Sequence, residues 1–214
     1  MSLLSASGIA NISDNKFIVD VPLRTNFSDN KKFPTTLYGS SYIDPNGGPD
    51  GKGCAIFPTA SYLEILTQNI NLVNIDFEIN VDLKIQYSIG GFDGLLSVFG
   101  IPNKDHSAFT ITTNVDVLWA SSTYFGWDVA NSGNGVFLPS NILRDNNWHN
   151  LKIKRINDSL FVYIDDILNK TIPIQNPSSY LNLNNNNYIF LGKKSDLLLG
   201  SSEIHMCNFY IKII

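Results

Sequence analysis

Cysteine is scarce. Cys54 and Cys207 are the only two in 214 residues, too few for a disulfide-stapled mini-fold or a cysteine-built metal site. Each lies inside an apolar strand pattern, and two readings stay open: buried reduced thiols, or a bridge between neighbouring strands. Long apolar runs are missing too. Nothing approaches the ~20 residues that cross a bilayer, and the N-terminus lacks a charged stretch followed by an apolar one, so no membrane insertion is expected. Charged residues make up only 16% of the chain, with a formal net charge of −4. Lysine and arginine cluster only at Lys31-Lys32 and Lys193-Lys194, which leaves no basic face for phosphates and argues against nucleic acid. Histidine occurs three times, as His106, His149 and His205, with no serine or cysteine nucleophile motif beside any of them.

What the chain does have is apolar and aromatic bulk, 43% hydrophobic residues with 13 Phe and 9 Tyr, enough for a large packed interior. Asparagine replaces charge as the surface polar residue, including the run Asn184-Asn185-Asn186-Asn187, a bias that fits an AT-rich coding genome. Residues 1–15 are small and polar and read as a lead-in or linker, and no linker or repeat divides residues 16–214, which read as one domain. Apolar patterning predicts strands at Lys16–Leu23, Ile75–Tyr87, Leu95–Phe99, Ala108–Thr112, Val115–Trp119, Tyr124–Val129, Gly135–Leu138, Ile167–Ile174, Tyr188–Gly192 and Ile204–Ile213, while Tyr62–Val73 fits either a strand plus turn or a helical face through Leu63, Leu66, Ile70 and Val73. Thr25–Lys52 reads as a long loop with turns at Asp44-Pro45-Asn46-Gly47 and Pro49-Asp50-Gly51. The fold class implied is all-β, a two-sheet antiparallel β-sandwich of jelly-roll type.

Trp148–Asp165 is the stretch whose register can be written down in advance. Two alternating runs flank Asn157-Asp158, a pair that tolerates positive φ in a two-residue turn. With Ile156 and Ser159 closing the turn, Ile153 meets Val162 and Leu151 meets Ile164 on the core side. Lys154 then meets Phe161, and Lys152 meets Tyr163, on the other. A slip of one residue would carry the lysines into the core.

This hairpin, with Trp148-His149 opening it and Tyr163-Ile164-Asp165 ending it, resembles the late hairpin of laminin G-like domains of the concanavalin A-like lectin and glucanase superfamily. Gly53–Phe57, Ser61–Ile65, Ile75–Leu83, Gly94–Phe99 and Ile204–Ile213 follow in that family's order. The resemblance implies a concanavalin A-like sandwich and a non-catalytic, lectin-like carbohydrate-recognition module. A phage tail fibre or bacterial surface protein is the setting it suggests. There, on the virion surface or outside the cell, the module would attach to host or environmental glycans, as a trimer if within a fibre. Two alternatives accompany it, a glycoside hydrolase or lyase of the same superfamily and a structural or oligomerising fibre domain.

The resemblance also bears on metals. Many related domains hold calcium at the rim through an Asp after a Pro-Leu and an acidic pair in the closing strand. Here Arg24 follows Pro22-Leu23, and His205-Met206 follow Ile204, so no metal and no cofactor is expected; Asp44, Asn46 and Asp50 are the candidate substitute ligands. Hydrolysis would need two carboxylates about 5 Å apart. Asp76, Glu78 and Asp82 alternate on one face without that motif's spacing, and read as a solvated strand face. A sugar binds by laying its C–H face on an aromatic ring and bonding its hydroxyls to polar neighbours. Trp119–Asn131 has that composition, with Tyr124 and Trp127 expected to stack and Asp128 and Asn131 to bond hydroxyls, while Trp119 ends an apolar run and reads as core.

Overall fold

The computed structural model describes residues 16–67, 70–72, 75–86, 93–100, 107–113, 118–121, 136–138, 143, 145–173, 182–183, 187–193 and 202–214. They form two large antiparallel sheets packed face to face as a β-sandwich. The eight-stranded sheet takes β1 (Phe17–Val21), β3 (Tyr42–Asp44), β4 (Cys54–Phe57), β7 (Phe77–Gln86), β12 (His149–Ile156), β13 (Ser159–Ile164), β14 (Ile167–Pro173) and β17 (Glu203–Ile213). Its order is β14-β13-β12-β7-β17-β4-β3, with β1 paired to β17. The seven-stranded sheet takes β2 (Thr35–Tyr38), β5 (Tyr62–Thr67), β8 (Asp93–Gly100), β9 (Ser107–Thr113), β10 (Leu118–Ser121), β11 (Val136–Leu138) and β16 (Asn187–Leu191). Its order is β11-β10-β9-β8-β16-β5-β2. A two-stranded ribbon pairs β6 (Ile70–Asn71) with β15 (Asn182–Leu183).

The core between the sheets is made by the period of two that each strand carries. From one sheet come Leu63, Ile65, Ile189 and Leu191; from the other come Ile79, Val81, Leu151, Ile153, Val162, Met206 and Ile211, all buried in one cluster. The β12–β13 hairpin has the register expected of it, Leu151 with Ile164, Ile153 with Val162, Lys154 with Phe161 and Ile156 with Ser159. Asn157 takes φ of 52°, and the pair with both residues at positive φ is the next turn, Asp165-Asp166, at 52° and 62°.

Two expectations need correction. Thr25–Lys52 is not loop throughout, because β2 and β3 lie within it. Both run at sheet edges, and β2 is exposed or half-exposed along its length, so no apolar alternation marks it. The polar face of β7 is solvated only in part: Glu78 and Asn80 are buried under side chains from β12 and β17, while Asp76 and Asp82 are half-buried. In a central strand, long side chains of both neighbours lie over a short polar one.

Candidate functional site

The outer face of the eight-stranded sheet is a polar network whose members satisfy one another. Glu78 receives Lys154 Nζ at 3.2 Å, Lys212 Nζ at 3.1 Å and the Tyr210 hydroxyl at 2.8 Å. Desolvation would raise the Glu78 pKa, but those three donors outweigh it and hold the carboxyl below its usual range. Two rows along the same face, Asp82 accepts Asn150 Nδ2 and Asn208 Nδ2, each at 2.6 Å. The β7 carboxylates are thus bound to cations and amides, unlike the close acid–nucleophile pair of a glycosidase.

At the rim of this sheet the guanidinium of Arg24 stands among oxygen acceptors. Nη1 donates to Asp50 Oδ1 at 2.7 Å and to the Gly53 carbonyl at 3.4 Å, and Nε donates to Asn208 Oδ1 at 2.9 Å. The bond from Arg24 holds the Asp50 carboxyl below its usual pKa. Asp44, the other acidic residue of that loop, caps its own turn by accepting Asn46 N–H at 3.0 Å. Among the described residues no group of three or more His, Cys, Asp or Glu could hold a metal ion.

His149 spans two loops. Its Nδ1 lies 2.7 Å from Asp165 Oδ2 and its Nε2 lies 2.9 Å from Asp145 Oδ1, an arrangement in which both nitrogens donate only when the ring is an imidazolium. Burial pulls its pKa down, and the two carboxylates more than reverse that, leaving it raised. Asp145, desolvated but bonded by Asn147 and His149, drops to about 2. This is a structural tie, since Asp165 also accepts the Asn150 N–H at 2.9 Å.

The outer face of the seven-stranded sheet differs in kind. Tyr62 and Glu64 point out of β5 between the buried Leu63 and Ile65. The ladder sets Tyr38 opposite Tyr62, and Thr36 and Phe190 on either side of Glu64. The Tyr38 and Tyr62 rings are stacked, 4.5 Å between centroids and 13° from parallel. Gly192, at φ of 86°, turns the chain beyond β16, and Lys193 Nζ then lies 4.2 Å from the Tyr62 centroid and 5.1 Å from that of Phe190. The positive φ suits glycine, since a Cβ there would sit 3.0 Å from the Ser61 carbonyl.

Because β16 and β2 flank β5 on opposite sides, the stack reads Lys193, Tyr62, Tyr38. Its inner end is a buried ammonium on a ring face. Its outer end is Tyr38, 39% exposed and stacked on Tyr62. Desolvation raises the pKa of Glu64, and Lys193 offsets part of that rise. The result is an aromatic plane beside a hydroxyl and a carboxyl, chemistry that receives a ring with one apolar face and polar edges.

Tyr124, Trp127, Asp128 and Asn131 lie outside the described residues. The backbone of Trp119 pairs with Thr112 and Phe137 in β10. Pairings place Tyr38–Tyr62, Leu191–Leu96, Ile111–Ala120 and Trp119–Phe137 in neighbouring rows across the sheet. Five strand steps from β2 to β10 make about 24 Å. Sequence reasoning passed over Tyr38, Tyr62 and Lys193 because the stack joins three segments far apart in the chain. The available signal was Tyr62 on the polar side of an alternating strand.

No protein-family model matches the chain, and no curated protein matches it. Solved structures do. One, described as cell entry of botulinum neurotoxin type C dependent upon interaction with two ganglioside molecules, is similar with TM-score 0.66 and 14% identity over 92% of this chain and 47% of that one. The binding domain of botulinum neurotoxin DC in complex with SialylT is similar with TM-score 0.63 and 17% identity, over 92% of this chain and 47% of that one. A carbohydrate esterase from the Shiga toxin-encoding bacteriophage phi24B has TM-score 0.61 and 12% identity, over 93% of this chain and 99% of that one. The chain spans about half the length of the toxin chains it resembles. At these identities the likeness is one of fold.

Proposed function

We propose that residues 16–214 form a non-catalytic carbohydrate-recognition module of laminin G-like kind, which attaches a phage tail fibre or bacterial surface protein to glycans outside the cell. The observation that carries the reading is the Lys193–Tyr62–Tyr38 stack, which presents the Tyr38 ring at the surface beside Thr36 and Glu64. An internal stack of this kind costs little on binding, since the platform is already ordered. The fold of a ganglioside-associated toxin structure and of a phage carbohydrate esterase supports the reading as analogy. The segment carrying Tyr124, Trp127, Asp128 and Asn131 is the second part of the proposal, as a further contact for a longer glycan.

The test is a glycan array probed with the whole protein, followed by titration of the strongest hit. Tyr38→Ala should weaken binding at least about tenfold, which is 1.4 kcal/mol, while stability falls by no more than the roughly 0.5–1.5 kcal/mol of a stacked pair. Trp127→Ala should weaken binding without unfolding the domain. Unchanged affinity in Tyr38→Ala would remove the platform from the site, and cleavage of the bound glycan would remove the non-catalytic reading.

A further inference from the structure

We infer that Cys54 and Cys207 form a disulfide that fastens β4 to β17. Ile204, His205 and Met206 of β17 pair with Phe57, Ile56 and Ala55 of β4; Cys207 and Cys54 each lie one residue beyond that ladder, where β17 bulges, and share one buried cluster. Both side chains leave the outer face of the eight-stranded sheet, where they are buried with Ile56 in a small cluster partly covered by Trp148. Neighbouring strands of a sheet lie about 4.7–4.9 Å apart. That lies inside the roughly 4.4–6.8 Å that a disulfide spans. The structure holds both as free thiols.

Bond formation is a thiol–disulfide exchange with an external disulfide such as oxidised glutathione. One cysteine thiolate attacks and releases a glutathione thiolate; the second cysteine displaces the other. The cysteines lose two protons and two electrons, and glutathione leaves as two thiols. The folded surface slows this step. The backbone of Gly47 lies so close that a Cβ there would be 2.4 Å from Cys54 Sγ, and burial pushes the Cys207 thiol up to about 12. The bridge therefore closes while the chain folds, and an oxidising extracellular setting preserves it. This inference stands apart from glycan binding, and either can fail without the other.

The whole protein is refolded from denaturant in a glutathione redox buffer, then denatured and alkylated, beside a sample reduced throughout. The reduced sample should take up two alkyl groups. The refolded one should take up none, yield a proteolytic fragment linking residues 54 and 207, and melt at least about 5 °C higher. Folded reduced protein in the same buffer should oxidise at least tenfold more slowly. Two alkylatable thiols after refolding, only glutathione adducts, a bridge between two chains, or a lowered melting temperature would each overturn the inference.

Discussion

Arg155 gives the sharpest test of the packing. Its side chain is 3% exposed and points inward at the end of β12, where Leu151 and Ile153 set the core side. Nη1 donates to the Leu72 carbonyl at 2.5 Å and the Ile75 carbonyl at 3.1 Å, and Nε donates to the Asn157 carbonyl at 3.1 Å. One guanidinium thus closes the end of the sandwich by holding the segment before β7 against the hairpin turn. Truncation to alanine removes three bonds worth about 1 kcal/mol each, and the Leu72 carbonyl keeps only the Ile75 N–H at 3.2 Å. The guanidinium is itself desolvated, which lowers its pKa, and relief of that cost offsets part of the loss. Arg155→Ala should therefore destabilise by about 2 kcal/mol, or roughly 4–8 °C in Tm at this chain size. Arg155→Lys should recover less than half, because one ammonium cannot reproduce the fork. Urea unfolding read by tryptophan fluorescence measures both. If Arg155→Met were as stable as the parent, the guanidinium's desolvation would equal its bonds and Arg155 would not hold the end of the sandwich together.

Three further outcomes follow from the same geometry. Leu151→Ala and Val162→Ala should each cost about 2–4 kcal/mol through the cavities they open, whereas Lys152→Ala should move Tm by no more than about 2 °C; similar shifts for all three would contradict the hairpin register. The His149 tie should show in the pH dependence of Tm: its raised pKa makes its contribution complete below the ordinary histidine value of about 6.5, fading as pH rises through the folded value. The depressed Asp145 contribution should be complete above about 4 and fade as pH falls through about 2. The Tm gap between parent and His149→Gln should narrow from pH 6 to pH 9, and a constant gap would remove the imidazolium from the account. Chelation by EDTA should leave Tm unchanged, because Arg24 already supplies the positive charge beside Asp50, the Gly53 carbonyl and Asn208; a drop reversed by calcium would show another ligand set.

Legibility in the sequence followed how locally each feature is encoded. The β12–β13 register was readable because both strands alternate strictly across a two-residue turn. The inward place of Arg155 was equally implied by that alternation, yet an arginine before a polar turn reads as surface. Burial of Glu78 could not be read from β7 alone, since Lys154 and Lys212 that cover it belong to strands 76 and 134 residues away. Tyr38 was hidden for a related reason: an edge strand of four residues has no alternation to show, and only its pairing with β5 gives its ring a partner. Arg24 after Pro22-Leu23 was visible, but that its charge would meet Asp50 depended on a loop closure of 26 residues.

The place of β17 bears on how the sheet is assembled in time. Glu203–Ile213 lies between β7 and β4 and also pairs with β1, so these strands, made far earlier on the ribosome, keep open hydrogen-bonding edges until residue 213 emerges. Nascent chains stalled before Glu203 would expose apolar, β-rich edges with nothing to cap them. Such intermediates call for a chaperone or fast translation of the last stretch, and a premature stop codon there would yield aggregate rather than a shortened domain.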